Sequence, residues 1–339
     1  MAEAQDKLHG PRVLVEPQDG ILPVRALIDD ATSSITVKMF AFTSRVLIEG
    51  LIGAKARGVD VRVMLNPARS SGSRANDETF EQLKAAGISV LWTNPKFAVT
   101  HEKSMVIDRS TALIATFNFS DKYFTHTRDY GLVLTDPAVV REMIACFEAD
   151  WHRTSFMPPF GSRLLWSTTN SRETMAKFID EATRTMTVQH PKFSDATILD
   201  RLLAAHDRGV RVRVICGGRH GISVSDMPDT FSALRILIRA GVKVRKQHRL
   251  RLHAKLITTD AKRALVGSMN IDRSAFDLRR ELGMIVEDEN AVAALRRQAH
   301  ADWDEGRPYE PSDPLTVQVH SEGDDAASAG LDHVDLDHE

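Results

Sequence analysis

Short apolar runs alternate with amphipathic stretches along the first half of the chain. The run ITVKMFAF, residues 35–42, is rich in β-branched and aromatic side chains and predicts a buried strand. A helical pattern over 47–57 stops at Gly58, after which VDVRVML predicts a second strand. Helical patterns return near 78–86 and over 137–151. Continuous apolar strands separated by helices indicate an α/β fold with helices on both faces of the sheet.

The same order of elements returns about 150 residues later. ARGVDVRVMLNP returns as DRGVRVRVICGG, and LKAAGISV returns as LIRAGVKV. His101 and His253 are separated by 152 positions, as are Trp151 and Trp303. An offset this constant indicates a duplicated domain, and its period is too long for a solenoid repeat.

The duplication predicts an architecture of two halves. We expect two α/β/α sandwich halves, each a mixed β-sheet flanked by helices, packed about a pseudo-twofold axis. Residues 1–158 form the N-terminal half and residues 159–310 form the C-terminal half, joined at the Pro- and Gly-rich stretch SFMPPFGS. A chain of 339 residues is long enough for two buried cores.

Composition narrows the class of protein. Hydrophobic residues make up 42% and charged residues 27%, as in ordinary globular proteins. No run approaches the 18 or so apolar residues of a membrane-spanning helix, and the N-terminus lacks the apolar segment of a signal peptide. Two cysteines cannot form a disulfide framework or a cysteine-rich zinc site. We therefore expect a cytoplasmic protein able to contact a membrane peripherally.

Charge is unevenly distributed along the chain. Residues 311–339 contain eight acids, no Lys or Arg and no aromatic residue, which predicts an acidic disordered tail. The rest of the chain then carries 44 basic against 38 acidic residues. This mild positive charge suits an anionic substrate, but it falls short of the strongly basic surface of a dedicated nucleic-acid binder.

Polar residues recur at fixed distances from the two repeated histidines. Counting from each histidine, a lysine lies at +2, an aspartate at +7, a hydroxyl at +15, an asparagine at +17 and an acid at +28. Residues two apart on a strand face the same side, so we expect both sets to meet in one site at the axis. The positions are His101, Lys103, Asp108, Thr116, Asn118 and Asp129 in the first half, and His253, Lys255, Asp260, Ser268, Asn270 and Glu281 in the second.

This set of side chains suits phosphodiester chemistry. The lysines can neutralise a phosphate whose charge builds in the transition state. One histidine can attack phosphorus while the other protonates the leaving alcohol and then activates the incoming one. The acids Asp129 and Glu281 can hold an imidazole in the required tautomer. We assign phosphate binding to the two amides and the two hydroxyls, Asn118, Asn270, Thr116 and Ser268.

The spacing resembles the signature of the phospholipase D superfamily, the HKD phosphodiesterases: H-x-K-x(4)-D, six residues, then G-S-x-N. The second copy, HAKLITTDAKRALVGSMN, matches it throughout. The first, HEKSMVIDRSTALIATFN, has Ala-Thr in place of Gly-Ser, so that Thr116 keeps the hydroxyl, and Asp129 stands where Glu is usual. The resemblance covers residues 13–305 and is to two-motif bacterial members of the phospholipase D or cardiolipin synthase type.

The resemblance implies a metal-independent reaction that uses no cofactor and passes through a phosphohistidine. Water or an alcohol then accepts the phosphatidyl group. It further implies that His101 is the nucleophile and His253 the acid/base, with the reverse assignment left open. Asp108 and Asp260 belong to the catalytic motif, but their expected role is structural. Because one chain holds both motifs, it is expected to be active as a monomer.

The sequence leaves the substrate open. A phospholipid is favoured because residues 115–131 resemble bacterial members that transfer phosphatidyl groups, and Phe156, Met157 and Phe160 in the joint can touch a membrane. Nucleic acid is the alternative substrate, with the basic run RKQHRLR at 245–251 as a binding rim; a solvated edge strand is an equal reading of that run. A catalytically idle binding protein is disfavoured, because the motif positions are kept or conservatively replaced.

Two look-alike patterns are set aside. HPKFSD, residues 190–195, contains a further H-x-K, but its Asp comes three residues after the Lys and no G-S-x-N follows. We interpret it as a loop near the mouth of the site. HEKSM begins like the zinc-protease motif H-E-x-x-H, but Met105 stands in the place of the second ligand, so no metal site is expected.

Overall fold

The computed structural model describes residues 10–68, 72–219 and 222–313. The acidic tail predicted for 311–339 lies outside this part of the chain, apart from residues 311–313. Within these residues each half has one large sheet flanked by helices, as the duplication predicts, and a third sheet of two strands joins the halves.

The first half forms a mixed sheet. Its strands are β1 (Arg12–Glu16), β2 (Ser34–Met39), β3 (Asp60–Leu65), β4 (Ser89–Trp92), β5 (Val99–Thr100), β6 (Lys103–Ile107), β7 (Thr111–Ala115) and β8 (Thr127–Leu134). Its helices are α1 (Leu22–Asp29), α2 (Arg45–Ala56), α3 (Asp77–Ala85) and α4 (Pro137–Trp151), with a 3-10 turn at Asp121–Phe124. The strand order is β1-β8-β7-β6-β2-β3-β4.

Local sequence accounts for these elements. The strands β2, β3 and β4 run parallel, and parallel neighbours need the crossover helices α2 and α3. The strands β6, β7 and β8 are antiparallel and follow one another closely in the chain. Helix α4 begins where the carboxylate of Asp136 accepts the N–H groups of Ala138 and Val139, with Pro137 in the first turn. The helix predicted over 137–151 is confirmed.

The second half repeats this plan. Its strands are β9 (Leu164–Trp166), β10 (Thr185–Gln189), β11 (Arg211–Cys216), β12 (Lys243–Lys246), β13 (Arg251–Leu252), β14 (Leu256–Thr259), β15 (Arg263–Gly267), β16 (Arg279–Arg280), β17 (Leu282–Val286) and β18 (Arg307–Pro308). Its helices are α5 (Ser171–Asp180), α6 (Ala196–Asp207), α7 (Met227–Arg239), α8 (Arg273–Asp277) and α9 (Glu289–Glu305). The strand order is β18-β12-β11-β10-β14-β15-β17-β9. The basic run at 245–251 begins in β12, which pairs on both sides, and so it does not begin on an edge strand.

Two short parallel pairings join the halves. The strand β13 of the second half pairs with β8 of the first, with Leu252 opposite Arg128. The strand β5 of the first half pairs with β16 of the second, with Thr100 opposite Arg280. The pairing of β13 with β8 ends one residue before His253 and one residue before Asp129. The pairing of β5 with β16 ends one residue before His101 and one residue before Glu281. The contact between the halves therefore fixes the position of both histidines.

Three apolar clusters make up the core. One lies on the sheet of the first half and one on the sheet of the second. The third is shared, because it packs Ile114 and Leu132 of the first half against Leu256, Met284 and Trp303 of the second. Burying such side chains contributes roughly 1.5–3 kcal/mol each, so the shared cluster ties the halves into one unit.

The joint between the halves runs over the surface from the end of α4 to β9. Met157 is 76% exposed and Phe160 is fully exposed, whereas Phe156 packs on Trp166 with ring centroids 5.2 Å apart. Among the helices in the described ranges, none combines the length and the apolar character needed to cross a membrane.

Candidate functional site

The two motif histidines lie at the contact between the halves. His101 follows β5 and is fully buried, and His253 follows β13 and is 4% exposed. The main-chain N–H of His101 donates to the carbonyl oxygen of Arg280 (2.9 Å), and that of His253 donates to the carbonyl oxygen of Arg128 (3.2 Å). Since an acid follows each arginine in the chain, each histidine meets the acid of the other half.

Each imidazole is held by that acid through Nδ1. The Nδ1 atom of His101 lies 3.0 Å from both carboxylate oxygens of Glu281. The Nδ1 atom of His253 lies 2.7 Å from Oδ1 of Asp129. A carboxylate at Nδ1 favours the tautomer with the proton on Nδ1. The lone pair of Nε2 is then available to act as a nucleophile or a base. The two histidine–acid pairs are therefore reciprocal between the halves.

The repeated hydroxyls lie behind these acids. Thr116 Oγ1 donates to Asp129 Oδ1 and Ser268 Oγ donates to Glu281 Oε2, both at 2.5 Å. Each hydroxyl also accepts the main-chain N–H of the residue after the acid, at 2.8 and 3.0 Å. A hydroxyl has one proton to donate, and here it is directed at a carboxylate. The sequence assigned both hydroxyls to phosphate, whereas in the structure they contact the acids that hold the histidines.

The two lysines are buried but bind different partners. The ammonium group of Lys103 donates to the main-chain carbonyl of His101 (2.8 Å), and it lies 5.1 Å from the centre of the Phe40 ring. The ammonium group of Lys255 lies 2.8 Å from Nε2 of His253. Each ammonium group therefore lies close to the histidine two residues before it.

The repeated asparagines follow the strands β7 and β15 and are also buried, with Asn118 fully buried and Asn270 1% exposed. The Oδ1 atom of Asn270 has no hydrogen-bond partner among the residues that the structure describes. Buried amides are ordinarily hydrogen-bonded, so Asn270 offers an oxygen to a ligand.

Asp108 and Asp260, by contrast, lie away from the histidines at the far ends of their strands. The carboxylate of Asp108 accepts the main-chain N–H groups of residues 32–34 at 2.7–3.2 Å, and that of Asp260 accepts those of residues 183–185 at 2.7–2.8 Å. Burial by itself raises the pKa of each carboxyl, but these hydrogen bonds outweigh it and hold both pKa values below their ordinary range. Both carboxylates fasten the turn before a central strand.

Two buried ion pairs brace the contact between the halves, and the sequence did not single them out. Arg128 binds Asp302 at 2.8 Å and Arg280 binds Asp150 at 2.9 Å. Each arginine directly precedes a histidine-holding acid, and each aspartate comes from the last helix of the other half. In the sequence, the signal for these two aspartates is the Ala-Asp-Trp that recurs near the ends of α4 and α9.

Lys38 on β2 breaks the symmetry beneath the site. Its ammonium group binds Asp150 at 2.7 Å and Glu102 at 2.9 Å, and it lies 3.5 Å from the sulfur of Cys146. Burial lowers the pKa of Lys38, but the attraction of Asp150 outweighs this and raises it above its usual value. The three potential metal ligands of this cluster therefore already surround a cation.

His190, the histidine of the look-alike segment 190–195, was expected in a loop near the mouth of the site, but the structure places it elsewhere. His190 directly follows β10 and is fully buried. Burial, and secondarily the positive charge of Lys255, lower the pKa of His190 to about 3, so its ring is neutral near pH 7. Lys192, two residues on, forms an ion pair with Asp226 at 2.7 Å.

Comparison with known proteins supports the resemblance noted from the motifs. The family model described as "Cardiolipin synthase, PLD-like domain" matches residues 24–151 and 175–303. A cardiolipin synthase of Clostridium perfringens is 24% identical over 81% of this chain and 66% of its own length. Cardiolipin synthase B of Escherichia coli is 26% identical over 79% of this chain and 74% of its own length. This chain thus spans about two thirds to three quarters of the length of these relatives.

Solved structures bear on the fold. Phosphatidylserine synthase of Haemophilus influenzae has a TM-score of 0.69 at 13% identity, covering 90% of this chain and 88% of that one. Polyphosphate kinase of Porphyromonas gingivalis has a TM-score of 0.70 at 17% identity, covering 89% of this chain and 50% of that one. With both repeats matched and the two motifs meeting at one contact, the chain belongs to the phospholipase D superfamily, as a member with two PLD-like domains.

Proposed function

We propose that this chain is a phospholipase D-type phosphodiesterase that acts on phospholipids and transfers their phosphatidyl group through a phosphohistidine. The observation that carries the proposal is the reciprocal contact of His101 with Glu281 and of His253 with Asp129, which holds both imidazoles at the contact between the halves. The curated relatives named cardiolipin synthases favour a phospholipid substrate.

In the first step, Nε2 of His101 attacks phosphorus and the bond from phosphorus to the leaving oxygen breaks. His253 begins this step with a proton on both ring nitrogens and gives the proton of Nε2 to that oxygen, so the headgroup leaves as a neutral alcohol and the His253 ring becomes neutral. The ring of His101 gains positive charge as its bond to phosphorus forms, and the carboxylate of Glu281 stabilises that charge.

The two roles are assigned as the resemblance to the family implies, with His101 as the nucleophile and His253 as the proton carrier. Lys255 lies 2.8 Å from Nε2 of His253 and Lys103 donates to the main-chain carbonyl of His101, so an ammonium group lies close to each histidine.

In the second step, an alcohol or water attacks the phosphohistidine. His253 takes the proton of the attacking hydroxyl, the new phosphorus–oxygen bond forms, and the bond from phosphorus to His101 breaks. The two lysine ammonium groups and the NH₂ groups of Asn118 and Asn270 donate to the phosphate oxygens through both steps. Thr116 and Ser268 act through the acids that they contact.

We also propose that the chain contacts the membrane through its joint. Met157 and Phe160 are exposed apolar side chains in one short surface segment, which suits insertion at a lipid interface. Replacing both residues by serine is expected to reduce sedimentation of the protein with phosphatidylglycerol vesicles. The variant has less apolar surface to bury in the membrane, so its binding is weaker. The variant Val46→Ser, at a partly exposed site on α2, serves as the control. Unchanged sedimentation of the joint variant would remove the joint from the contact.

The test of function is a turnover assay with two arms. Phosphatidylcholine or phosphatidylglycerol vesicles with added ethanol form one arm, and single- and double-stranded DNA form the other. We expect phosphatidic acid and phosphatidylethanol from the lipids, at the same rate with a chelator present, and intact DNA. Both products should vanish in His101→Ala and in His253→Ala. Cleaved DNA with inert lipids would instead assign a nuclease.

A further inference from the structure

His190 has the features of a ligand-binding side chain rather than of a packed core residue. It is fully buried, and neither ring nitrogen has a hydrogen-bond partner in the part of the chain that the structure describes. Its main-chain N–H is satisfied, since it donates to the carbonyl oxygen of Ile215 at 3.2 Å. Buried side-chain polar atoms nearly always find a partner, so an imidazole with two unused nitrogens is held ready for one.

The strand register places this ring on the face of the site. In the pairing of β10 with β14, Val188 lies opposite Ile257 and Gln189 opposite Leu256. One further step puts His190 opposite Lys255, and residues opposite one another share a face of the sheet. Lys255 in turn contacts the ring of His253. The His190 side chain therefore lies on the same face of the sheet as Lys255, the side chain that contacts the proposed acid/base.

The first half has no equivalent of this histidine. There, Met39 lies opposite Lys103 in the corresponding pairing of β2 with β6. Methionine makes only weak hydrogen bonds, so at this register position only the second half provides a strong hydrogen-bonding side chain, the imidazole of His190. That side is the one where His253 passes protons to and from alcohols.

The chemistry of the ring points to a hydroxyl group. A neutral imidazole offers one donor and one acceptor, as a hydroxyl does, whereas an ionised phosphate oxygen only accepts. The lysines and asparagines already supply donors to phosphate. We propose that His190 binds a non-reacting hydroxyl of the acceptor alcohol and so makes the enzyme prefer a polyol, such as a glycerol group, to ethanol. The inference rests on the proposed transfer reaction.

Competition between glycerol and ethanol tests this preference. Given both alcohols and phosphatidylcholine vesicles, the unaltered protein is expected to favour phosphatidylglycerol over phosphatidylethanol. His190→Met places there the residue that the first half carries, and it is expected to lower this product ratio about tenfold. Phosphatidylethanol and phosphatidic acid should form within about twofold of the original rates. His190→Asn, whose amide both donates and accepts, should recover part of the ratio.

Controls separate the possible failures. His152→Met, at an exposed position after α4, should leave the ratio unchanged. An unchanged ratio in a folded His190→Met protein would overturn the assignment. So would an equal loss of all three products together with a lower melting temperature, because that pattern belongs to a packing residue. If the unaltered protein makes no lipid product at all, the proposed function fails and this inference falls with it.

Discussion

At the scale of single residues, the site consists of two imidazoles, each fixed through Nδ1. The repeated spacing in the sequence selected the candidate site residues, and the structure brings both histidines, both lysines and both acids of this set to one contact. The spacing did not predict that the hydroxyls of Thr116 and Ser268 donate to the acids Asp129 and Glu281. Spacing shows which face a side chain occupies, but a hydroxyl turns to its nearest acceptor, and that acceptor is known only from coordinates.

Replacing Glu281 by glutamine tests the holding of His101. The amide keeps the shape of the acid, but it carries no charge and can present its NH₂ group to Nδ1. We expect kcat to fall on the order of 10³–10⁴-fold, as when the carboxylate of a histidine–acid pair becomes an amide elsewhere. Initial rates on phospholipid vesicles would measure the fall. Asp277→Asn, at a partly exposed ion pair on α8, is the matched control. Near-normal turnover in Glu281→Gln would contradict the role given to the acid.

Glu16 at the end of β1 gives the protein a pH-dependent stability. Burial raises the pKa of Glu16 to about 8 against the hydrogen bond from the Gly20 N–H, and the charge of Asp129 adds to the rise. Because the folded pKa exceeds the unfolded value of 4.5, its contribution to stability is present below pH 4.5 and is lost as the pH rises to about 8. Melting temperatures should fall across this window, and should fall less in Glu16→Gln. Parallel curves for the two proteins would show that Glu16 titrates normally.

At the scale of elements, the short pairings β13–β8 and β5–β16 decide how the site is assembled. The sequence indicated most strands and helices of the first half, because their apolar runs are long and their ends carry glycine or a capping residue. It could not indicate these two-residue pairings. Nothing in so short a segment distinguishes a partner in its own half from one in the other half.

The ion pairs beneath these pairings are expected to matter for stability. Asp302→Asn leaves the buried guanidinium of Arg128 without its counter-charge, which should lower the free energy of unfolding by about 3–5 kcal/mol. Denaturant titration would measure the loss. The exposed pair of Arg45 and Glu49 provides the comparison, because Glu49→Gln should change stability by less than about 1 kcal/mol. Equal effects of the two substitutions would mean that Arg128 finds another partner.

At the scale of the whole molecule, one chain supplies both members of each histidine–acid pair. We therefore expect that the site needs no second copy and that turnover per chain does not depend on protein concentration. Mixing His101→Ala with His253→Ala should restore nothing, since each protein lacks one half of its own site. Recovered turnover in the mixture, read by phosphatidic acid release, would reveal exchange of halves between chains.

Covalent joining of the halves also frees them from being identical. In an assembly of two identical subunits, every substitution appears on both sides of the axis. Here the first half has Met39 at the register position where the second half has His190. Likewise, the first half has the buried cation Lys38 where the second half has the neutral, buried Gln189. Under the proposed mechanism, one side can then specialise in attack on phosphorus and the other in handling alcohols. A substitution on one side need not be repeated on the other.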